Sequence, residues 1–217
     1  MPAFPDGRHG GTVVPLDRPN VDTDAIFPKQ YGRSTARSGY GPVLFDNWRY
    51  LDPGDLDSDH SRRRPNPDFV LNRPELRGAT VLLARQNFGC GSSREHAVWA
   101  LRDHGFRAVV APSFGDIFRQ NCPLNGVAGL ALWGAAVDRP FAMAQAQVLE
   151  VHIDLCARQL AAGDERFEFP LTPREELLLT RDVDWIGATL AQRDRIAAFE
   201  RERLARQPWL DPVHPRW

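Results

Sequence analysis

No CxxC pair occurs in these 217 residues, and there are only three cysteines. Cys90, Cys122 and Cys156 are too widely spaced to form a zinc ribbon or an iron–sulfur ligand run within this chain. An odd, sparse cysteine count does not make a disulfide scaffold either, and it fits a reducing, cytoplasmic setting. There is no surplus of one charge: 27 basic residues face 28 acidic ones, for a formal net charge of −1. That balance argues against a nucleic-acid binder, which carries a basic excess or stripe. No apolar run is long enough to cross a membrane, and Met1–Gly11 has no apolar stretch of the secretory-signal kind.

What is present is an ordinary globular composition, 42% hydrophobic and 25% charged, of a length that suits one domain with a helical tail. The expected organisation is a single domain over residues 1–217, with its core in 9–200 and a tail over 207–217. Residues 1–10 read as a frayed arm and Thr12–Leu16 as a short strand. Asn20–Pro28 reads as a loop entering the core. Gln30–Gly41, glycine-rich and poor in apolar residues, reads as a mobile surface loop. Phe45, Trp48 and Tyr50 form an aromatic patch expected to pack inward. Asp52–Asp68 mixes acids, arginines and prolines and reads as a solvated loop.

The centre is more regular. Thr80–Ala84, Arg107–Ala111 and Val127–Trp133 are apolar runs of strand length. Between them, Ser93–His104 and Ser113–Gln120 show helical spacing, the first closed by Gly105. Strands alternating with helices predict an α/β core with at least partly parallel pairing. Further on, Val148–Asp154 alternates as a half-exposed strand does, and Ala157–Leu171 reads as a hairpin around Gly163-Asp164. Helices are expected over Pro173–Arg181 and Ala191–Arg206, the latter with Ile196, Phe199 and Leu204 as its apolar contacts.

The chemistry concentrates in Asn87-Phe88-Gly89-Cys90-Gly91-Ser92-Ser93-Arg94-Glu95-His96. This stretch follows a buried strand and opens a helix, the place in an open α/β sheet where ligands bind. Gly89 and Gly91 permit a positive φ or a close backbone approach. The first N–H groups of the helix are unpaired and attract anions, and Arg94 adds a guanidinium fork suited to a carboxylate. The third glycine of a dinucleotide fingerprint is replaced by Arg94, and no lysine makes a Walker loop. Cys90 with His96 is a possible nucleophile pair. The plain structural alternative, that Ser92 and Ser93 are helix N-caps, stays open on these grounds alone.

FGCGSSREHA closely resembles the signature of the aconitase superfamily's swivelling domain, in particular that of 3-isopropylmalate dehydratase small subunits. VVPLDRPNVDTDAIFPKQ, FDNWRYL, PNPDFVLN, APSFGDIFRQN and DWIGATL follow in the family's order, so the resemblance spans roughly residues 9–200. It implies a three-layered β/β/α swivelling domain with C-terminal helices. It also implies a hydro-lyase that interconverts 2-isopropylmalate and 3-isopropylmalate by dehydration and rehydration in leucine biosynthesis. No cofactor is expected in this chain; a [4Fe–4S] cluster is expected in a large partner subunit, and the substrate is a small hydroxy diacid. By motif position Ser92 matches the catalytic base. Ser93, Arg94 and Gly91 match substrate-binding positions. Asp24 matches an aspartate that orders the site, with an Asx-turn as its structural alternative.

The turn at Lys29, Tyr31, Gly32 and Arg33 matches a specificity loop. The family usually has an aromatic followed by leucine there, whereas this chain has Tyr31-Gly32. Val127-Ala128-Gly129 stands where Leu-Leu-Pro is common. Two further functions therefore enter: a paralogue acting on a methylmalate-type or dimethylmalate-type diacid, and a non-catalytic scaffold of the same fold. The intact Ser92-Ser93-Arg94 speaks against the scaffold.

Overall fold

The computed structural model describes residues 4–181 and 185–211. The chain groups into two compact units, residues 1–182 and 183–217.

The first unit is built on a seven-stranded sheet: β1 (Arg8–Leu16), β2 (Val81–Ala84), β3 (Ala108–Ala111), β4 (Ala128–Ala131), β5 (Glu150–Asp154), β6 (Gln159–Ala162) and β7 (Glu165–Glu168). The spatial order is β4-β3-β2-β1-β5-β6-β7. β1 joins two halves. Its segment Arg8–Thr12 pairs antiparallel with β5, and its segment Val13–Leu16 pairs parallel with β2. The β2, β3 and β4 side is all parallel, and the β5, β6 and β7 side all antiparallel. Sequence follows from this. The parallel strands are buried at every residue and read as continuous apolar runs, while β5 alternates exposed and buried residues because one face meets water.

Alternation within the parallel strands separates two cores. Leu82, Ala84, Val109 and Ala111 face a helical layer with Phe27, Phe88, Val98 and Leu101. Val81, Leu83, Ala108, Val110 and Leu130 face the antiparallel strands through Val151, Ile153 and Leu160. These are the three β/β/α layers that the resemblance implies. The helical elements of this unit are α1 (Thr23–Ile26), α2 (Asp46–Arg49), α3 (Glu95–His104), α4 (Asp116–Leu124), α5 (Asp138–Ala146) and α6 (Pro173–Thr180). α3 buries Ala97, Val98, Ala100 and Leu101 and ends on Gly105 at φ 116°, a left-handed cap. α6 opens on a capping box of Thr172 and Glu175.

Several local expectations are corrected. Residues 8–10 of the supposed arm are strand, paired with Asp154, Ile153 and His152; residues 1–3 lie outside the described residues. Asn20–Pro28 contains α1. The Gln30–Gly41 loop is pinned rather than loose: Tyr31 and Tyr40 are buried, the Tyr40 N–H donates to Asp103 Oδ2 at 3.0 Å, and Arg102 Nη2 donates to the Arg37 carbonyl at 2.8 Å. Within the solvated 52–68 stretch, Arg63 turns inward and its side chain is only 6% exposed, in a two-pronged ion pair with the buried Asp46.

The second unit holds α7 (Trp185–Leu190), α8 (Arg193–Arg206) and a closing turn at Pro208–Leu210. None of the α8 side chains is buried, and Phe199 is 60% exposed. Residues 212–217 of the expected tail lie outside the described residues.

Candidate functional site

The loop between β2 and α3 is sewn to two neighbours. On one side, Gly89 N–H donates to the Val21 carbonyl at 2.7 Å and Thr23 N–H to the Cys90 carbonyl at 2.9 Å. On the other, Phe88 N–H donates to the Ser113 carbonyl at 3.1 Å and Gly115 N–H to the Phe88 carbonyl at 2.9 Å. These bonds satisfy a backbone that belongs to no sheet and fix where the next residues emerge. Gly89 is obligatory in this arrangement. Its φ is +73°, and a Cβ there would lie 2.2 Å from the Phe118 ring. Gly91 has φ +89° beside Asp22.

The chain then surfaces. Gly91, Ser92 and Ser93 are exposed, and Arg94 is half-buried. The Thr23 hydroxyl donates to the Ser92 carbonyl at 2.8 Å, which ties the serine's backbone to α1 and leaves its own hydroxyl outward. The N-cap of α3 is Arg94, with no side-chain cap bond. The N-cap alternative for Ser92 and Ser93 therefore fails, and both hydroxyls are left for other work. Arg94 Nη1 pairs with Asp24 Oδ1 across 70 positions of sequence. The Asx-turn alternative for Asp24 fails too, since Asp22 takes that role by accepting from Ala25 N–H at 2.7 Å.

Cys90 and His96 do not form an activated pair. Burial, then the Asp22 carboxylate, push the Cys90 thiol up, away from a thiolate. The His96 ring stacks on Phe27 at 5.1 Å and lies 4.7 Å from Trp99, and burial lowers its pKa. His96 is a half-buried histidine packed among aromatic rings. Beyond the motif, Asn125 accepts from Trp99 Nε1 at 2.8 Å and donates to Glu95 Oε1 at 3.0 Å, holding the first turn of α3. Sequence reasoning misses this brace, as it misses Thr23.

The candidate specificity turn lies directly after α1. Lys29, Gly32 and Arg33 are exposed, and Gly32 has open space on the side where a Cβ would stand. Tyr31 points the other way, into the core, 6.2 Å from Phe27 and 6.0 Å from His60. Burial, then Asp46, push its phenol far above the ordinary range. Among the described residues no three His, Cys, Asp or Glu side chains converge as a metal site. Cys90 is half-buried in the motif loop, Cys122 buried in α4 and Cys156 exposed after β5. This donor set does not fit a cluster.

A sheet joined through β1, with the Gly91-Ser92-Ser93-Arg94 turn at the mouth of α3, defines a swivelling-type α/β domain. A sequence model of the aconitase C-terminal domain matches residues 7–133, more than half of the chain, and the chain belongs to that family. A second model, describing the C-terminal domain of the small subunit of 3-isopropylmalate dehydratase, matches residues 186–213. Both agree with the small-subunit resemblance that the motifs carry. The solved 3-isopropylmalate dehydratase (leuD) of Methanocaldococcus jannaschii has the same fold, with TM-score 0.57 at 24% identity, over 89% of this chain and 99% of that chain. A holo-form aconitase X of Thermococcus kodakaraensis is far more distant, at 12% identity and TM-score 0.37 over 79% of this chain and 95% of that one.

Proposed function

We propose that this chain is the small subunit of a cytoplasmic hydro-lyase that interconverts 2-isopropylmalate and 3-isopropylmalate, active only with a large subunit. The observation that carries the reading is the state of Ser92. Its hydroxyl is uncapped and exposed between Gly91 and Ser93, beside a guanidinium held by Asp24. A [4Fe–4S] cluster in the large subunit would supply the Lewis acid for the substrate hydroxyl.

The rest falls to this chain. Ser92 Oγ takes the weakly acidic proton from the carbon next to the substrate carboxylate and returns it on rehydration. A serine does this only where its oxyanion is stabilised, by Arg94 and by the N–H groups opening α3. Arg94 also binds the carboxylate, Asp24 fixes the direction of the fork, and Ser93 and Gly91 make room and hydrogen bonds at the same edge. An exposed rim leaves water in contact with these charges and weakens them, so a second protein surface must close over it.

Gly32 supports a second reading of the same chemistry, on a diacid with a smaller branch such as methylmalate, because its turn offers no alkyl contact there. Co-expression with a cluster-bearing large subunit and assay on a panel of hydroxy diacids decides the matter. Turnover that needs both chains and favours isopropylmalate supports the first reading, and a preference for methylmalate supports the second. Turnover by the large subunit alone, or none on any diacid, counts against both.

A further inference from the structure

At the opposite end of α3 from Ser92 lies a recess of about 450 Å³ between α2, the 60–65 segment, the 71–79 segment and His104. We propose that this recess binds a small polyanion carrying two or more phosphate or carboxylate groups. It is a separate site, since the ten residues of α3 put about 15 Å between its two ends.

The recess is lined by four arginines, Arg49, Arg63, Arg73 and Arg77, and two histidines, His60 and His104, with no carboxylate in the lining. Among the described residues, Arg63 alone of the four has an acidic partner, the buried Asp46, and no ion pair engages Arg49, Arg73 or Arg77. Arg49 gives Nη1 to the Gly41 carbonyl at 3.0 Å and approaches His104 Nδ1 at 3.4 Å, both neutral partners, and the carboxylate that acts on it, Asp46, is already ion-paired with Arg63. The Nε–H groups of Arg49 and Arg63 are buried without a hydrogen bond. Burying cations with donors unmet is costly unless something returns the lost charge. The cost shows on the neighbours: burial, then Arg49, hold His104 down to about 4.

Another recess, of about 390 Å³ on the outer face of β1, β5 and β6, also holds arginine and histidine, but its Arg8 is paired with Asp154 at 2.9 Å. The α3 recess keeps its positive field open. Arg73 and Arg77 are exposed at its edge and free to close on a ligand, while Arg49 and Arg63 lie deeper. Fork-shaped donors at several heights suit a compact ligand with more than one anionic group, and a recess of this size admits a small molecule.

The test is calorimetric titration of the full chain at low ionic strength with pyrophosphate and, in a separate arm, citrate. The tighter of the two shows whether phosphate or carboxylate carries the recognised charge. R73Q/R77Q should weaken binding at least about tenfold, and Arg77→Gln alone, exposed and safe for the fold, should show part of that loss. Arg8→Gln, in the other recess, should leave the affinity unchanged. The proposal is overturned by unchanged affinity in R73Q/R77Q, by loss of binding in Arg8→Gln, or by no saturation with either anion up to about 1 mM.

Discussion

The two ends of α3 solve opposite problems. At its start Gly91, Ser92 and Ser93 are exposed, and Arg94 is half-buried against an exposed aspartate. At its end Arg49, Arg63 and His104 are drawn inward, and the Asp46 that pairs with Arg63 is 1% exposed. The helix dipole favours this division, with anions attracted to the N-terminus and cations tolerated at the C-terminus. The two ends differ in completeness. The start of α3 leaves its serines in contact with water, and under the proposed function a second surface has to close over them. The end encloses its charges within one chain, so its electrostatics are already strong.

That contrast breaks first at Asp46. Asp46→Asn removes the counter-charge of a buried guanidinium and should cost about 3–5 kcal/mol in urea unfolding. A loss below about 1 kcal/mol would mean that Arg63 escapes to solvent and the enclosed end is not enclosed. At the other end, Arg94→Lys should keep the fold but raise KM and lower kcat/KM by about tenfold to a hundredfold, since a point charge cannot hold both Asp24 and a carboxylate. Unchanged kinetics would detach Arg94 from the substrate.

Acid sharpens the comparison. His104 has a folded pKa held down to about 4, below its ordinary 6.5, so the unfolded chain binds its proton first as the pH falls. Stability should therefore decline between about pH 6.5 and 4 and level off below, by on the order of 1–3 kcal/mol. His104→Gln should flatten that slope; an unchanged slope would assign it to other groups. The smallest effect is expected at the specificity turn. Gly32→Leu has room for its side chain, and should raise kcat/KM for isopropylmalate over methylmalate by a few-fold, about 1 kcal/mol. Equal effects on both diacids would remove the turn from substrate choice.

Legibility in the sequence divides along the same line. The start of α3 reads as a motif because its chemistry is contiguous from Asn87 to His96. The parallel strands read as strands because burial on both faces makes them continuous apolar runs. Arg8–Gly10 does not read as strand because Gly10 and Gly11 weaken the signal, yet both glycines follow from packing. A Cβ on Gly10 would lie 2.9 Å from His152, and one on Gly11 1.9 Å from Thr80 Oγ1. The Arg63–Asp46 pair is hidden because Arg63 sits inside the run Arg62-Arg63-Arg64, 17 positions from Asp46. The basic recess draws on segments from Arg49 to His104, with no spacing to announce it. Asp24 and Arg94 meet across a gap that only the family resemblance bridges.

The most direct measurement is Ser92→Ala in the complex with the large subunit, with substrate binding and turnover followed separately. The hydroxyl is assigned to the proton in flight, so kcat should fall by about three orders of magnitude or more. Diacid affinity, held by Arg94 and the α3 N–H groups, should change little. Near-normal turnover in Ser92→Ala, or an equal loss in binding and turnover, would contradict the account.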